Sequence, residues 1–413
     1  MSTTTNTVPE APEPGGAVKP GSTVRSDRHR QRKSRIVRLA VLAASIFIIT
    51  AIGLLHQYSD IKIVGVDALC PFGGIETLWT LISSGVFVKQ VAASSVILLG
   101  VVLVVAVLFR RSFCGYICPL GALQELFGKI GKAIWPRNRP EVPALIDKPA
   151  RFLKYVALAV FAVWSWQAAT LVIRPYDPWV AWMHLTSAEV IAEFSIGLAI
   201  LGISLVGSIV YERFFCKYLC PTGALLGAIS RFSLFKVRRN VDTCIDCRLC
   251  DKACPSNIKV SEVAVVESPE CINCNECVNV CPVKDTLEVS TKASPSGKRT
   301  VLTALQMTVA VVAIVAALVG VATAVGTFSW TLPSLEQSAA TNGGTVNADD
   351  IRGSMSFAEV AVATGLPAAE FMSRFGVSEA DMALPMKDIA ERYGFDVHTD
   401  VREFVSERLA AGR

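Results

Sequence analysis

Eight cysteines between residues 244 and 281 carry the most specific chemistry in the chain. They form two runs, "CIDCRLCDKACP" and "CINCNECVNVCP", each spaced C-x2-C-x2-C-x3-C-P. Thiolates at this spacing hold cubane iron–sulfur clusters: three close cysteines bind three irons, and the fourth reaches across to a second cluster. The spacing groups Cys244, Cys247, Cys250 and Cys281 around one [4Fe–4S] cluster, and Cys271, Cys274, Cys277 and Cys254 around the other. Such clusters pass one electron at a time and bind no substrate. Structural zinc uses four ligands per site and does not call for a doubled eight-cysteine pattern.

A second set of cysteines is repeated. "FCGYICPLGAL" begins at Phe113 and "FCKYLCPTGAL" at Phe215, an offset of 102 residues. Cys114 and Cys118 match Cys216 and Cys220, and Pro119 matches Pro221. Cysteines at i and i+4 share one helical face. A proline disfavours helix at the residue before it and suits the first turn of a new helix. Each second cysteine is thus expected to face a helix N-terminus, which favours thiolate. Two such pairs across a pseudo-twofold axis bring four thiols together. Four thiolates suit a further iron–sulfur cluster or a soft metal ion. The alternatives are inert buried thiols or a dithiol that cycles through a disulfide. The thirteenth cysteine, Cys70, has no evident partner, and packing is the expectation for it. A weaker repeat pairs "LCPFGG" with "IRPYDP" at an offset of 104, which sets Arg174 in the place of Cys70.

The elements that position these residues are helices in a membrane. The 413 residues are 52% hydrophobic, with mean hydropathy +0.46, too apolar for an ordinary soluble chain of this length. Five segments reach the length of roughly 20 residues that a spanning helix needs: 36–55, 91–109, 152–173, 190–210 and 301–328. Lys and Arg set the orientation. Segments 19–38, 110–154 and 211–300 hold eight, nine and thirteen of them, against only Lys62, Lys89 and Arg174 in the remaining loops. The N-terminus and all eight motif cysteines of 244–281 are expected in the cytoplasm, and the C-terminus outside. The expected fold is mainly α, a polytopic membrane protein in a parallel helix repeat. Its parts are a disordered basic tail (1–35), a membrane domain (36–235), a two-cluster segment (236–290), a fifth spanning helix (301–328) and a small outer helical domain (350–413). Segment 72–87 is apolar but Gly-broken and reads as an interfacial or re-entrant helix. In the outer domain, "SFAE" at Ser356–Glu359 is a capping box. From residue 351 on there are ten acidic and seven basic residues. This balance, with the outer location, excludes nucleic acid and points to docking of a redox partner protein.

Paired C-x3-C-P motifs followed by a cytoplasmic two-cluster ferredoxin-type segment resemble the polyferredoxin-like membrane proteins of the NapH and NosR type. A related branch is the CcoG type, associated with copper reduction. The resemblance covers residues 36–290. It implies electron transfer between the quinone pool and a redox partner, in the plasma membrane of a bacterial-type cell. It also implies that Cys114, Cys118, Cys216 and Cys220 are hallmark residues. The fifth helix and the outer domain exceed the basic NapH pattern.

A quinol site needs a proton acceptor beside an apolar pocket. His56, Asp67, Glu76, Asp177, His184 and Glu189 are the outer-face candidates, with Glu76 and His184 first because they follow the two related outer loops. Glu193, inside the fourth span, is a further proton site. The expected function is iron–sulfur electron transfer linked to quinol. The alternatives are a cupric-ion reductase acting at the paired cysteines, and a redox-sensing regulatory or assembly protein.

Overall fold

The structure is a computed structural model. It describes residues 28–58, 70–84, 93–135, 142–168, 173–186, 191, 194–293, 299–328 and, with short gaps, 335–411. Glu193, Asp67 and Glu189 lie outside the described residues. Helix α1 spans Arg28–Tyr58, so the basic cluster assigned to a disordered tail is helical from Arg28 onward. The reason is electrostatic. Arg35 pairs with Glu276 at 3.5 Å and Arg38 with the same carboxylate at 3.0 Å, which ties the start of the helix to the two-cluster segment.

The next elements form two copies of one unit. In the first copy α2 (Pro71–Ser84) precedes α3 (Ala93–Phe109), α4 (Ser112–Tyr116) and α5 (Pro119–Ile134). Helices α6 (Ala144–Ala150) and α7 (Leu153–Ala168) intervene. The second copy is α8 (Pro178–Met183), α9 (Ser195–Val210), α10 (Phe214–Tyr218) and α11 (Pro221–Ile229). The last three helices of each copy keep the offset of 102 residues. The proline-started helices α2 and α8 depart from it, because Pro178 and not Pro175 opens α8. The residue equivalent to Cys70 is therefore Asp177, a correction to the Arg174 match. Each proline-started helix packs on its long neighbour, α2 on α3 and α8 on α9.

Two described helices are long and apolar enough to cross a membrane, at 31–55 in α1 and at 304–324. The windows that qualify are only 17% buried, unlike the core helix of a soluble protein. Within the described residues α3, α7 and α9 are shorter, at 17, 16 and 16 residues.

The two-cluster segment is a small sheet with two short helices. Strand β1 (Lys236–Arg239) pairs antiparallel with β2 (Leu287–Ser290), Lys236 opposite Ser290, and β2 with β3 (Val301–Leu302). Between them lie α12 (Leu249–Ala253) and α13 (Glu276–Val280). Strand β3 leads straight into α14 (Ala304–Ala324), which opens on a capping box between Thr303 and Gln306. One apolar core runs from α3 through Phe113 and Tyr116 to Ile272, Val278 and Met307. The segment is thus packed onto α3, α4 and α14 rather than tethered to them.

The C-terminal unit has its own core of Phe357, Phe371, Met386, Ile389, Phe404 and their neighbours. Helices α15 (Phe357–Thr364) and α17 (Met386–Tyr393) are both eight residues long. Each ends on a glycine at positive φ, Gly365 and Gly394, and α16 (Ala368–Phe375) and α18 (Arg402–Ala411) complete the unit. The capping box at Ser356 is closed in both directions, Glu359 N–H to Ser356 Oγ and Ser356 N–H to Glu359 Oε2.

Candidate functional site

The two-cluster segment encloses two small cavities. Cys254, Cys271, Cys274 and Cys277 line one. Cys244, Cys247, Cys250 and Cys281 line the other. Helix α12 carries Cys250 of one cavity and delivers Cys254 to the other; α13 carries Cys277 and delivers Cys281 back. The backbone between the close cysteines is left-handed at Asp246 and Arg248, and again at Asn273 and Asn275. Alternating right- and left-handed residues turn successive N–H groups into a concave nest that suits an anionic cluster. Four thiols and a nest in each cavity fit a cubane, and Cys supplies its iron ligands.

The repeated cysteines meet where the two copies meet. Cys114, Cys118, Cys216 and Cys220 all line one larger cavity of about 1130 Å³. Cys118 lies within electrostatic reach of Cys114 and Cys216, and Cys220 within reach of all three. Among the described residues no three His, Cys, Asp or Glu side chains converge tightly enough to hold a metal ion. Four thiols around one cavity suit an iron–sulfur cluster or a soft metal ion.

Cys118 and Cys220 do cap α5 and α11, and Gly223 N–H donates to Cys220 Sγ at 3.3 Å. The expected thiolate does not follow. Burial pushes both thiols up, and the neighbouring cysteines push them further. Desolvation outweighs the helix end. A metal centre has to displace these protons as it binds.

Two arginines complete this site. Arg213, just before α10 in the second copy, donates to the carbonyl of Cys114 at 2.7 Å. Arg111, at the equivalent place in the first copy, donates to the carbonyl of Cys216 at 3.2 Å. Each crosses to the other copy's first cysteine. Both side chains are fully buried. Arg213 is paired with Glu125 at 2.8 Å and Arg111 with Glu270 at 3.1 Å. Glu125 also holds Arg38, and Glu270 also holds Lys154. Burial would raise Glu125, but Arg38 and Arg213 overrule it and hold the carboxyl at about 2. Four buried cations thus face two buried carboxylates at this end, with Arg38 also reaching Glu276. The Nε–H of both Arg111 and Arg213 is buried with no hydrogen-bond partner in the structure. This surplus of positive charge fits an anionic thiolate centre.

The same glycines recur in both copies for a steric reason. A Cβ on Gly223 would stand 2.5 Å from Arg111 Nη2, and one on Gly121 would stand 3.1 Å from Arg213 Nη1 and 2.7 Å from the Cys114 carbonyl. Only glycine lets the crossing arginine reach its carbonyl.

A family model described as a 4Fe-4S binding domain matches residues 91–138 and again 195–240, one match per copy. A second, described as a 4Fe-4S dicluster domain, matches residues 236–292. The putative electron transport protein YccM of Escherichia coli is 32% identical over 273 residues, covering 65% of this chain and 76% of YccM. The chain belongs to the NapH/NosR-type polyferredoxin-like family. The ferredoxin-type protein NapH of Haemophilus influenzae is 31% identical, covering 48% of this chain and 68% of NapH. The regulatory protein NosR of Pseudomonas aeruginosa is 28% identical over 41% of this chain and only 23% of its own length. No solved structure matches.

Within this polyferredoxin-like chain the remaining candidates are dispersed. Glu76 is buried in α2 and accepts a hydrogen bond from Ser165. His184 ends α8, its Nδ1 3.0 Å from the Val180 carbonyl and its ring stacked on Phe194. The two are not brought together, and neither lines the large cavity. Asp177 and Cys70 do line it. The Cys70 thiol donates to Asp177 Oδ2 at 3.3 Å, so Cys70 has a partner in the chain after all. Arg111 and Arg213 were the residues missed. Their signal was present, since they occupy equivalent places in the repeat, but arginines at a helix end read first as orientation signals.

Proposed function

We propose that this chain is a multi-pass membrane protein that carries electrons between the quinone pool and a redox partner. One observation carries the reading: twelve cysteines line three cavities that adjoin in series. Tyr116 follows Cys114 in α4; its hydroxyl donates to the Asn273 carbonyl at 3.2 Å and accepts from Asn275 at 2.9 Å. Lys217 follows Cys216 in α10 and donates to Asn257, beyond Cys254, at 2.8 Å. Both copies therefore dock on the cavity of Cys254, Cys271, Cys274 and Cys277, the membrane-proximal cubane site. Helices α12 and α13 then lead to the second cubane site, where Cys244 is half-buried and Cys247 exposed. A relay that begins at the repeat would end there, at the surface open to a partner.

Five spans would be the two long helices together with the apolar segments 91–109, 152–173 and 190–210, which hold α3, α7 and α9. The distribution of Lys and Arg supports clusters on the cytoplasmic side and the C-terminal unit outside. In this arrangement Cys114, Cys118, Cys216 and Cys220 hold a third iron–sulfur centre.

The test is iron and sulfide quantitation with electron paramagnetic resonance on the purified protein and on a variant with Cys114, Cys118, Cys216 and Cys220 all replaced by serine. The wild type should hold more iron than the variant, and a quinol should reduce its cubanes. The variant should keep two dithionite-reducible cubanes and lose their reduction by quinol. Equal iron and equal quinol-driven reduction in the two proteins would remove the repeated cysteines from the relay.

A further inference from the structure

The cavity that holds the four thiols extends far beyond them. Helix α14 turns one face to it, with Val312, Ala316, Val319, Gly320 and Thr323 at helical spacing. This lining continues to Ala324, and twelve residues of helix cover about 18 Å. The thiols follow the last turns of α3 and α9. Asp177 packs instead on the first turn of α9, its carbonyl 3.1 Å from where a Cβ on Gly197 would lie. The cavity is thus a long apolar channel with thiols at one end and the Cys70–Asp177 pair at the other.

We propose that this channel is the binding site of an isoprenoid quinol, with Asp177 as its proton acceptor. The proposal rests on the quinone link argued above and gives it a place. The walls require a ligand that is mostly hydrocarbon. The only carboxylate lining the channel, among the described residues, is Asp177, at the end away from Arg111 and the thiols; at that end it repels a phosphate but accepts from a neutral quinol hydroxyl. The carboxylate is held in place by its bond from Trp179 N–H at 2.9 Å, which leaves Oδ2 toward Cys70.

The chemistry balances. Oxidation breaks two O–H bonds of the quinol and forms two carbonyls, releasing two protons and two electrons. Asp177 takes the protons in turn and passes each to solvent at its own end of the channel. The electrons leave one at a time toward the iron–sulfur centres, and two one-electron cubanes accept the pair from one quinol.

The test uses the full-length protein in detergent with decylubiquinol, following cluster reduction by electron paramagnetic resonance. Asp177→Asn removes the proton acceptor, and asparagine still caps α8. Gly320→Phe fills the channel; an added Cβ there meets nothing within 4 Å, so the ring enters without a backbone clash. Both variants should keep wild-type iron and full reduction by dithionite. Both should lose at least about tenfold in the rate of quinol-driven reduction, and Gly320→Phe should also lose co-purifying quinone. Wild-type rates in both variants would overturn the channel site and leave the quinone link standing. A wild type whose clusters dithionite reduces and quinol does not would overturn both. Phospholipid in place of quinone in the wild type, displaced by Gly320→Phe, would also overturn the site.

Discussion

Arg111 and Arg213 show what a repeat does at the scale of single residues. A buried guanidinium is costly unless its charge is answered; here each reaches a carbonyl of the other copy, and the carboxylates are Glu125 of the first copy for Arg213 and Glu270 of the two-cluster segment for Arg111. The glycines two residues after Pro119 and Pro221 exist to leave the path open. Gly223→Ala should therefore cost about 1–3 kcal/mol, the usual penalty for overpacking. In the background of Arg111→Ala the same substitution should cost much less, because the atom it strikes is gone. Thermal unfolding of the four proteins of this double-mutant cycle would check it; strictly additive effects would show that the close approach is not what the glycine serves. The cysteines, prolines and glycines of this site were legible in the sequence, since identical letters recur at one offset. The crossing was not. It depends on two copies facing each other, which no single stretch of chain encodes. The pairing of Cys70 with Asp177 was illegible for a related reason: the equivalent positions carry different side chains, and α8 begins 107 residues after α2 rather than 102.

At the scale of elements, the short helices α12 and α13 bind the two cubane sites into one unit. Each is five residues long, too short to be stable alone, and each is fixed at both ends by cysteines of different cavities. Cys254→Ser should therefore disturb the cubane site of Cys271, Cys274 and Cys277 and spare its neighbour, although Cys254 is closer in sequence to Cys250. Electron paramagnetic resonance of the reduced protein should show one intact cubane and one altered or lost, with the quinol-driven step impaired because the altered one is proximal to the membrane. Loss of the distal signal instead would reverse the grouping. The C-x2-C-x2-C-x3-C-P spacing made this exchange readable in advance. The amphipathic stripes after the repeated cysteines were readable only in part. In α5 Leu120 and Leu123 are buried while Leu126, Ile130 and Ile134 are exposed. Part of the apolar face of α5 is buried, and the helix packs against α9. Apolar periodicity gives the direction of a helix face and not its neighbour.

The whole molecule joins two bodies by different means. The two-cluster segment shares its core with α3, α4 and α14, so folding of the one supports the other; Met307 and Val311 are completely buried in that shared core. Among the described residues the C-terminal unit shares no core residue with these elements. Its core begins at Leu335 and closes on itself through five phenylalanine side chains linked by ring contacts, Phe357, Phe371, Phe375, Phe395 and Phe404. A unit whose apolar surface is satisfied internally should fold alone. Residues 335–413 expressed as a separate protein should be soluble and helical, and should unfold in one cooperative transition. The complementary chain ending at residue 334 should retain wild-type iron and wild-type reduction by quinol, because among the described residues none beyond Phe328 lines any of the three cysteine-lined cavities. If that shortened protein lost its clusters, the separation would be wrong. If it kept clusters and quinol-driven reduction but no longer captured the redox partner that the full chain captures, the acidic C-terminal unit would be the place where that partner docks.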